Sequence, residues 1–282
     1  MFVYSAYDAG GSPTYLAEAC VSARSLRRWT DAPITLWTNR TALAAELVQA
    51  VGSPFSAILP LGEAGPPKAH KIDAIGRASG DRVFLDTDTI VLADIGRVFE
   101  FADFDIAAVP VAVRDAITSM DEAVRREPRR RYTVNSGVLF VRGRFAGPLC
   151  AAWAAAYRRA LARSGPSVYD QPSLARALEG LQPDLLPLPH NYNLRVQFGG
   201  LVSGAVFVVH VHYRRDLAGL LRGGLDAHRV DALIDRVAAI NASTGQAVMP
   251  PIAPGSVLAL DLSRRGRPRS LARRVTARWL HR

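Results

Sequence analysis

The feature that most constrains the fold of this chain is the alternation of short apolar runs with longer stretches of helical spacing. Apolar runs and helical stretches alternate in the order 2–7, 14–29, 34–39, 41–51, 56–61 and 67–79. Strands separated by helices need crossover connections, which place neighbouring strands parallel and cover both faces of the sheet. This part of the chain therefore predicts an α/β fold with a mainly parallel sheet.

The later apolar runs follow one another too closely for helices to separate all of them. They lie at 82–86, 90–94, 105–111 and 137–142, with room for one helix at 115–127. We therefore predict a mixed sheet for this part. The remaining elements are predicted as helices at 145–163, 170–180 and 226–243 and a buried strand at 205–213.

Composition sets the protein class and the domain organisation. The chain has 282 residues, 49% hydrophobic and 21% charged, which is typical of a globular protein and excludes a disordered chain or a coiled coil. An α/β enzyme of this length often forms one domain, and we assign that domain to 1–249. Prolines mark a linker over 250–263, which leaves an Arg-rich tail at 264–282.

The net charge of +10 is a property of the tail. Eight arginines and no acid lie in 264–282, so the residues before them carry a formal charge of only +2. Within the tail, Leu271, Val275 and Trp279 recur every four residues, which predicts a basic amphipathic helix suited to anionic lipid. The alternative is a disordered, solvated tail. If the positive charge of the whole chain is interpreted as functional, the chain would instead be a nucleic-acid binder.

The sequence gives no sign of a membrane span or of secretion. No stretch approaches the roughly 18 consecutive apolar residues of a membrane helix, and the first residues lack the basic and apolar regions of a signal peptide. The two cysteines, Cys20 and Cys150, are too few for a disulfide framework. We therefore expect a cytoplasmic protein, peripheral at the inner membrane surface if the tail binds lipid.

The most informative segment is an acid pair that directly follows a predicted strand. The run that begins at Val83 ends on Asp86-Thr87-Asp88, and a second apolar run starts at once. Ligands bind α/β sheets at the carboxyl ends of strands, and carboxylate oxygens suit Mg²⁺ or Mn²⁺. The pair therefore predicts a site for a metal-bound phosphate. A solvated turn is the competing interpretation.

The chain contains only two lysines, Lys68 and Lys71, one crossover helix before the acid pair. A compact ammonium suits a diphosphate oxygen. Because the chain otherwise uses arginine for positive charge, we expect at least one of these lysines to be specific, while the other lies on a solvated helix face.

Two further polar pairs are candidates for sugar contacts. Asn135 and Ser136 precede a glycine and a buried run, a position from which an amide can bond a sugar hydroxyl. Asp170 and Gln171 precede Pro172 and a predicted helix, where they could stabilise a developing positive charge. The structural alternatives are a turn for the first pair and a helix N-cap for Asp170.

Two histidines lie on one face of the late apolar strand. His210 and His212 are two residues apart in a run that is otherwise apolar, and a cation already held by two carboxylates would accept one imidazole. Satisfied core histidines are the alternative.

Taken in order, these segments resemble the GT-A glycosyltransferases of the glycosyltransferase 8 type. The resemblance spans most of 1–215 and rests on six or more motifs in the family's order: Tyr7-Asp8, SARSL at 22–26, the basic helix 68–77, FLDTDTIVLADI, NSGVLF, Asp170-Gln171, LPHNYN at 188–193 and a late strand that ends in His. It implies a GT-A fold, with a mixed, mainly parallel sheet flanked by helices, and transfer of a hexose from a UDP-sugar with retention of anomeric configuration.

The resemblance also implies roles for individual residues. Asp86 and Asp88 are expected to bind Mn²⁺ or Mg²⁺ with a late histidine; His210 matches the family pattern better, and His212 stays a possible ligand. The catalytic pair is expected at Asp170 and Gln171, without a clear covalent nucleophile. The residues expected to bind the donor are Tyr7, Asp8, Lys71, Thr87, Asn135 and Arg214. Arg214, or its neighbour Arg215, is expected to replace the phosphate-binding lysine of the family.

The expected partners are a nucleotide sugar and a glycan or lipid-linked acceptor.

A second enzyme class, the haloacid-dehalogenase phosphatases, also has an Asp-x-Asp motif after a strand. Their metal site is completed by a later Asp-Asp pair, and this chain has no such dipeptide. The phosphatase and the nucleic-acid binder are therefore the weaker interpretations.

Overall fold

The structure is a computed structural model. It describes residues 1–8, 13–62, 66–111, 133–165, 169–195, 204–210 and 219–244. Helices run over Thr14–Arg27 (α1), Thr41–Ala50 (α2), Pro67–Arg77 (α3), Val98–Phe101 (α4), Gly143–Ser164 (α5), Gln171–Leu181 (α6) and Ala227–Thr244 (α7). Strands run over Phe2–Ala6 (β1), Ile34–Thr38 (β2), Ala57–Pro60 (β3), Arg82–Leu85 (β4), Thr89–Val91 (β5), Ile106–Pro110 (β6), Val134–Val141 (β7), Leu185–Pro187 (β8), Leu194–Arg195 (β9) and Val208–His210 (β10).

Among the described residues, seven strands form the central sheet in the order β3-β2-β1-β4-β7-β6-β8. Strands β1 to β4 pair in parallel, whereas β7 is antiparallel to both of its neighbours, β4 and β6. The predicted α/β fold with a mixed, mainly parallel sheet is therefore confirmed. The reversal at β7 brings the start of that strand to the edge where β1 and β4 end, so both sets of polar residues share one edge.

Helices cover both faces of the sheet because its strands are apolar on both sides. Val83 and Leu85 of β4 pack into one core, with residues of α1, α2 and α7. Phe84, between them in sequence, packs into the other core with residues of α3, α5 and α6. The alternation of neighbouring side chains between two cores fixes the register of the strand.

A second, three-stranded sheet has the order β5-β10-β9. The sequence analysis predicted the run 90–94 as part of one mixed sheet, and this was wrong: only Thr89–Val91 forms a strand, and it pairs with β10. Asn135 and Ser136 were expected before their strand, but they lie inside β7.

Several predictions fall on residues outside the described ranges. They are the helix at 115–127, the end of the strand at 205–213, and the linker and tail at 250–282. Within the ranges that the structure describes, no helix is long and apolar enough to cross a membrane.

Candidate functional site

Three side chains with metal-ligating atoms meet where β4 ends and the small sheet begins. Asp86, Asp88 and His210 each offer one ligand atom, and these atoms lie within 4.8 Å of one another. The antiparallel pairing of β10 with β5 sets His210 opposite Thr89, directly after the acid pair. The histidine Nε2 lies 3.0 Å from Asp88 Oδ1 and 3.9 Å from Asp86 Oδ2. The small sheet thus closes the cluster.

The chemistry of this cluster fits a hard divalent cation. The other ring nitrogen of His210, Nδ1, is 2.9 Å from Asn193 Oδ1; with a single proton on Nδ1, the lone pair of Nε2 faces the carboxylates. A lone pair and a carboxylate oxygen repel one another at this distance unless a proton or a cation lies between them. Two carboxylates and one imidazole are a donor set that Mn²⁺ accepts. The residues present therefore fit the metal that the fold implies.

Lys71 connects the acid pair to the second polar pair. Its Nζ is 2.7 Å from Asp86 Oδ1 and 3.3 Å from Asp170 Oδ2, and it donates to the carbonyl and hydroxyl oxygens of Ser136. Burial lowers the pKa of Lys71, but the negative charges of Asp170 and Asp86 outweigh burial and raise it above the ordinary value. The lysine is therefore a fixed positive charge between two carboxylates. Its predicted contact with a diphosphate stays a prediction.

Asp170 is buried, and its side chain does not cap the helix that follows. The carboxylate makes no capping hydrogen bond at the start of α6; instead it accepts from Ser136 Oγ at 2.9 Å and from Lys71. Burial favours the neutral acid, but Lys71 and Lys68 outweigh it and hold the pKa of Asp170 below its ordinary value. The N-cap explanation therefore does not account for this acid, which is an ionised carboxylate joined through Lys71 to Asp86.

Gln171 and Asn135 form one hydrogen-bonded pair beside Asp170. Asn135 Nδ2 donates to Gln171 Oε1 at 3.0 Å, and both side chains are buried. The turn interpretation of Asn135 fails because β7 already includes this residue. The two amides that the sequence analysis assigned to the sugar therefore lie together.

Tyr7 and Asp8 follow β1 at the same edge of the sheet. The Tyr7 ring stacks on His70 with a centroid distance of 4.1 Å. Asp8 Oδ1 accepts a hydrogen bond from the Tyr15 backbone, in the first turn of α1. Burial raises the pKa of Asp8 above its ordinary value. The second oxygen, Oδ2, is buried and has no hydrogen-bond partner among the described residues.

The structure turns Thr87 toward the interior. Its hydroxyl donates to Glu18 Oε2 at 2.9 Å, and both residues are buried. This contact supports the loop that carries the acid pair, while the predicted role of Thr87 in donor binding stays a prediction. The sequence analysis missed Glu18, although an acid within the apolar stretch of a predicted helix is a signal that could have found it.

Two further residues of the site were missed, and two predicted ones cannot be placed. Asn193 was quoted within a motif but given no role, and His70 was overlooked beside the lysines. His212 and Arg214 lie outside the described residues, so the structure does not decide between the two histidines as ligands.

No family model and no curated protein matches the chain. Solved structures do share its fold. The galactosyltransferase LgtC, in complex with donor and acceptor sugar analogues, is 13% identical with a TM-score of 0.54, over 83% of this chain and 95% of that one. Mouse xyloside xylosyltransferase 1 is also 13% identical, with a TM-score of 0.53, over 76% and 97%. The bifunctional glycosyltransferase WbbM is 12% identical with a TM-score of 0.52, over 82% of this chain and 51% of that one. The expected GT-A fold, the fold of these glycosyltransferases, is thereby confirmed for this chain.

Proposed function

We propose that this protein is a metal-dependent glycosyltransferase that moves a hexose from a UDP-sugar to a glycan or lipid-linked acceptor. The observation that carries the proposal is the meeting of Asp86, Asp88 and His210 within 4.8 Å, with Lys71 joining this cluster to Asp170. The solved structures named above share the fold and are glycosyltransferases, which supports the same class of reaction for this protein. Retention and membership of the glycosyltransferase 8 group are parts of the proposal that rest on the motifs.

The chemistry needs charge stabilisation at both ends of the bond that breaks. A bound Mn²⁺ or Mg²⁺ would supply Lewis-acid stabilisation of the diphosphate leaving group. The chain would hold it through Asp86, Asp88 and His210. Lys71 adds a fixed positive charge at the same end and keeps Asp86 oriented.

The other end of the bond becomes positively charged as the leaving group departs. The anomeric carbon acquires oxocarbenium character, which a nearby carboxylate stabilises. Asp170 is suited to this role because Lys71 and Ser136 hold it ionised and oriented. Gln171 and Asn135 offer amide groups for sugar hydroxyls, since they already fix each other's orientation. We assign Asp170 and Gln171 to stabilising and positioning the sugar.

We assign the proposed preference for uridine to Tyr7 and Asp8. An aromatic ring offers a stacking surface for a base, and the buried Oδ2 of Asp8 lacks a donor among the described residues. Uracil presents an N3–H that can donate to this oxygen, whereas cytosine presents an acceptor at the same position. We therefore expect UDP to stabilise the protein more than CDP does.

The test is a thermal-shift panel of UDP, CDP, ADP and GDP and their hexose conjugates, with Mn²⁺ and with EDTA. A metal-dependent shift that is largest for UDP and its sugars supports the proposal. Equal shifts for all nucleotides would contradict the uridine site, and no shift with any of them would contradict the transferase.

The alternative enzyme class is not favoured. Among the described residues, the acid pair is completed by a histidine from a neighbouring strand, whereas a haloacid-dehalogenase phosphatase needs further acids. The structures that share the fold are glycosyltransferases.

For the tail, we keep the proposal of a cytoplasmic protein held at an anionic membrane by Leu271, Val275, Trp279 and the arginines around them. Truncation after Pro254 should then abolish vesicle binding; undiminished binding would remove the proposal.

A further inference from the structure

A line of hydrogen bonds lies behind His210, and one backbone amide fixes the direction of all of them. The Gly137 N–H lies 2.8 Å from Asn135 Oδ1. A backbone N–H can only donate, so the Asn135 atom that faces it must be the carbonyl oxygen. The amide nitrogen of Asn135 therefore points the other way, toward Gln171 Oε1, which it reaches at 3.0 Å.

The same logic determines the orientation of Asn193. Asn193 Nδ2 lies 2.7 Å from Asn135 Oδ1. Because Asn135 Oδ1 is an acceptor, the Asn193 atom that faces it must be the donor nitrogen. The carbonyl Oδ1 of Asn193 then faces His210 Nδ1 at 2.9 Å, so Nδ1 is the ring nitrogen that carries the proton. In the neutral ring, Nε2 has the lone pair, and it is this atom that faces Asp88.

The surrounding backbone holds this arrangement tightly. Asn193 is 1% exposed and His210 is 4% exposed. Strand β9, which begins directly after Asn193, pairs with β10, which ends on His210. A Cβ on Gly137 would collide with the His210 ring, since it would lie 2.8 Å from Nδ1 and closer still to Cε1. A glycine is therefore needed at 137 for the histidine to reach the acid pair.

We propose that Asn193 is a positioning residue that sets the tautomer of His210 for a divalent cation. The inference deepens the proposed function and rests on it. Asn193 acts through His210 and touches neither metal nor sugar. Asn193 also donates to Asn135, which in turn donates to Gln171. One connected set of amide side chains therefore links the proposed metal ligands to the proposed sugar-binding residues. Groups that orient a metal-ligating histidine tune its affinity for the metal.

The experiment compares Asn193→Ala with Asn191→Ala in the full chain. Asn191 belongs to the 3₁₀ turn His190–Tyr192, two residues before Asn193, and donates to the Ala205 carbonyl, so its removal takes away a neighbouring amide hydrogen bond and leaves the Asn193–His210 bond in place. Mn²⁺ affinity is measured by titration, and the proton on His210 Nδ1 is detected by ¹⁵N NMR of the metal-free protein. We expect wild type to be protonated at Nδ1. Asn193→Ala should bind Mn²⁺ about 10- to 100-fold more weakly, and Asn191→Ala should match wild type.

A wild-type ring that carries no proton on Nδ1 would overturn the proposal without any variant. So would equal Mn²⁺ affinity in Asn193→Ala and Asn191→Ala. Should Asn193→Ala fail to fold, Asn193→Asp retains an acceptor for Nδ1 and should keep the Nδ1–H tautomer; a loss of that tautomer contradicts the proposal. Absence of Mn²⁺ binding in wild type, with the Nδ1–H tautomer present, would contradict the proposed function while supporting the orientation that Asn193 imposes.

Discussion

At the scale of single residues, Lys71 is the side chain on which the site depends most. It contacts two carboxylates, Asp86 and Asp170, that are 84 positions apart in sequence. Sequence analysis singled out this lysine because the chain has only one other, but it predicted a phosphate contact. The pairing with Asp170 could not be predicted, because it depends on how β7 and α6 are placed in space.

Replacement of Lys71 by methionine should destabilise the protein strongly. Methionine is about as long as lysine but carries no charge, so Asp86 and Asp170 lose the positive charge that they share. Breaking a buried ion pair costs about 3 kcal/mol or more of stability. Urea unfolding measures the loss. Lys68→Met is the control, because Lys68 lies over the exposed ring of Tyr169 and should cost about 1 kcal/mol or less. Equal losses in the two variants would mean that Lys71 is not the central charge.

Asp170→Ala should lower kcat for sugar transfer or donor hydrolysis by about 100-fold or more, as expected for a lost transition-state interaction, with UDP affinity nearly unchanged. The control is Asp226→Ala. Asp226 accepts from the Arg229 backbone at the start of α7, so its loss should cost about 1 kcal/mol of stability and no activity. If Asp170→Ala instead keeps its kcat, the catalytic assignment fails.

At the scale of elements, hydrophobic periodicity predicted the large helices and strands well. Helices α1 and α3 begin at the predicted residues, because their apolar positions repeat at helical spacing. The strand at 205–213, which includes β10, was predicted, but its pairing in a separate sheet was not. Strand β9 was missed because its two residues are too few to show a period. The small sheet carries His210, so its pairing, rather than any local pattern, completes the candidate metal site.

The contact between α1 and α7 gives a prediction about pH. Hydrogen bonds from Arg24 and Arg28 lower the pKa of Asp231 to about 2. A carboxyl with a lowered pKa stabilises the fold above its unfolded pKa of about 3.9, and the stabilisation is lost as the pH falls toward 2. Asp231 is 34% exposed, so solvent screening limits the effect to about 1 kcal/mol.

The measurement is urea unfolding of wild type and Asp231→Asn at several pH values between about 6 and 2.5. Wild type should be the more stable protein near neutral pH, and the difference should shrink as the solution becomes acidic. A difference that stays constant or grows on acidification would show that Asp231 does not carry this linkage.

At the scale of the whole molecule, the fold explains why residues from distant parts of the chain form one site. Parallel strands β1 and β4 end at the same edge, antiparallel β7 starts there, and the small sheet adds a histidine. The GT-A fold could be anticipated from the order of the motifs. The hydrogen bonds that join Asn193, Asn135 and Gln171 could not, since each links residues at least 36 positions apart.

The central claim is that a divalent cation held by Asp86, Asp88 and His210 connects the protein to a nucleotide diphosphate. The most direct measurement is UDP binding by calorimetry, in Mn²⁺ and in EDTA, for wild type, Asp88→Asn and Asp73→Asn. Asp73 pairs with Arg77 on the exposed face of α3 and is the matched control. We predict that wild type and Asp73→Asn bind UDP only with Mn²⁺, and that UDP at 100 times its Kd then adds about 2.7 kcal/mol of stability. Asp88→Asn should not bind UDP in either condition. Binding of UDP to wild type with equal affinity in EDTA and in Mn²⁺ would contradict the account.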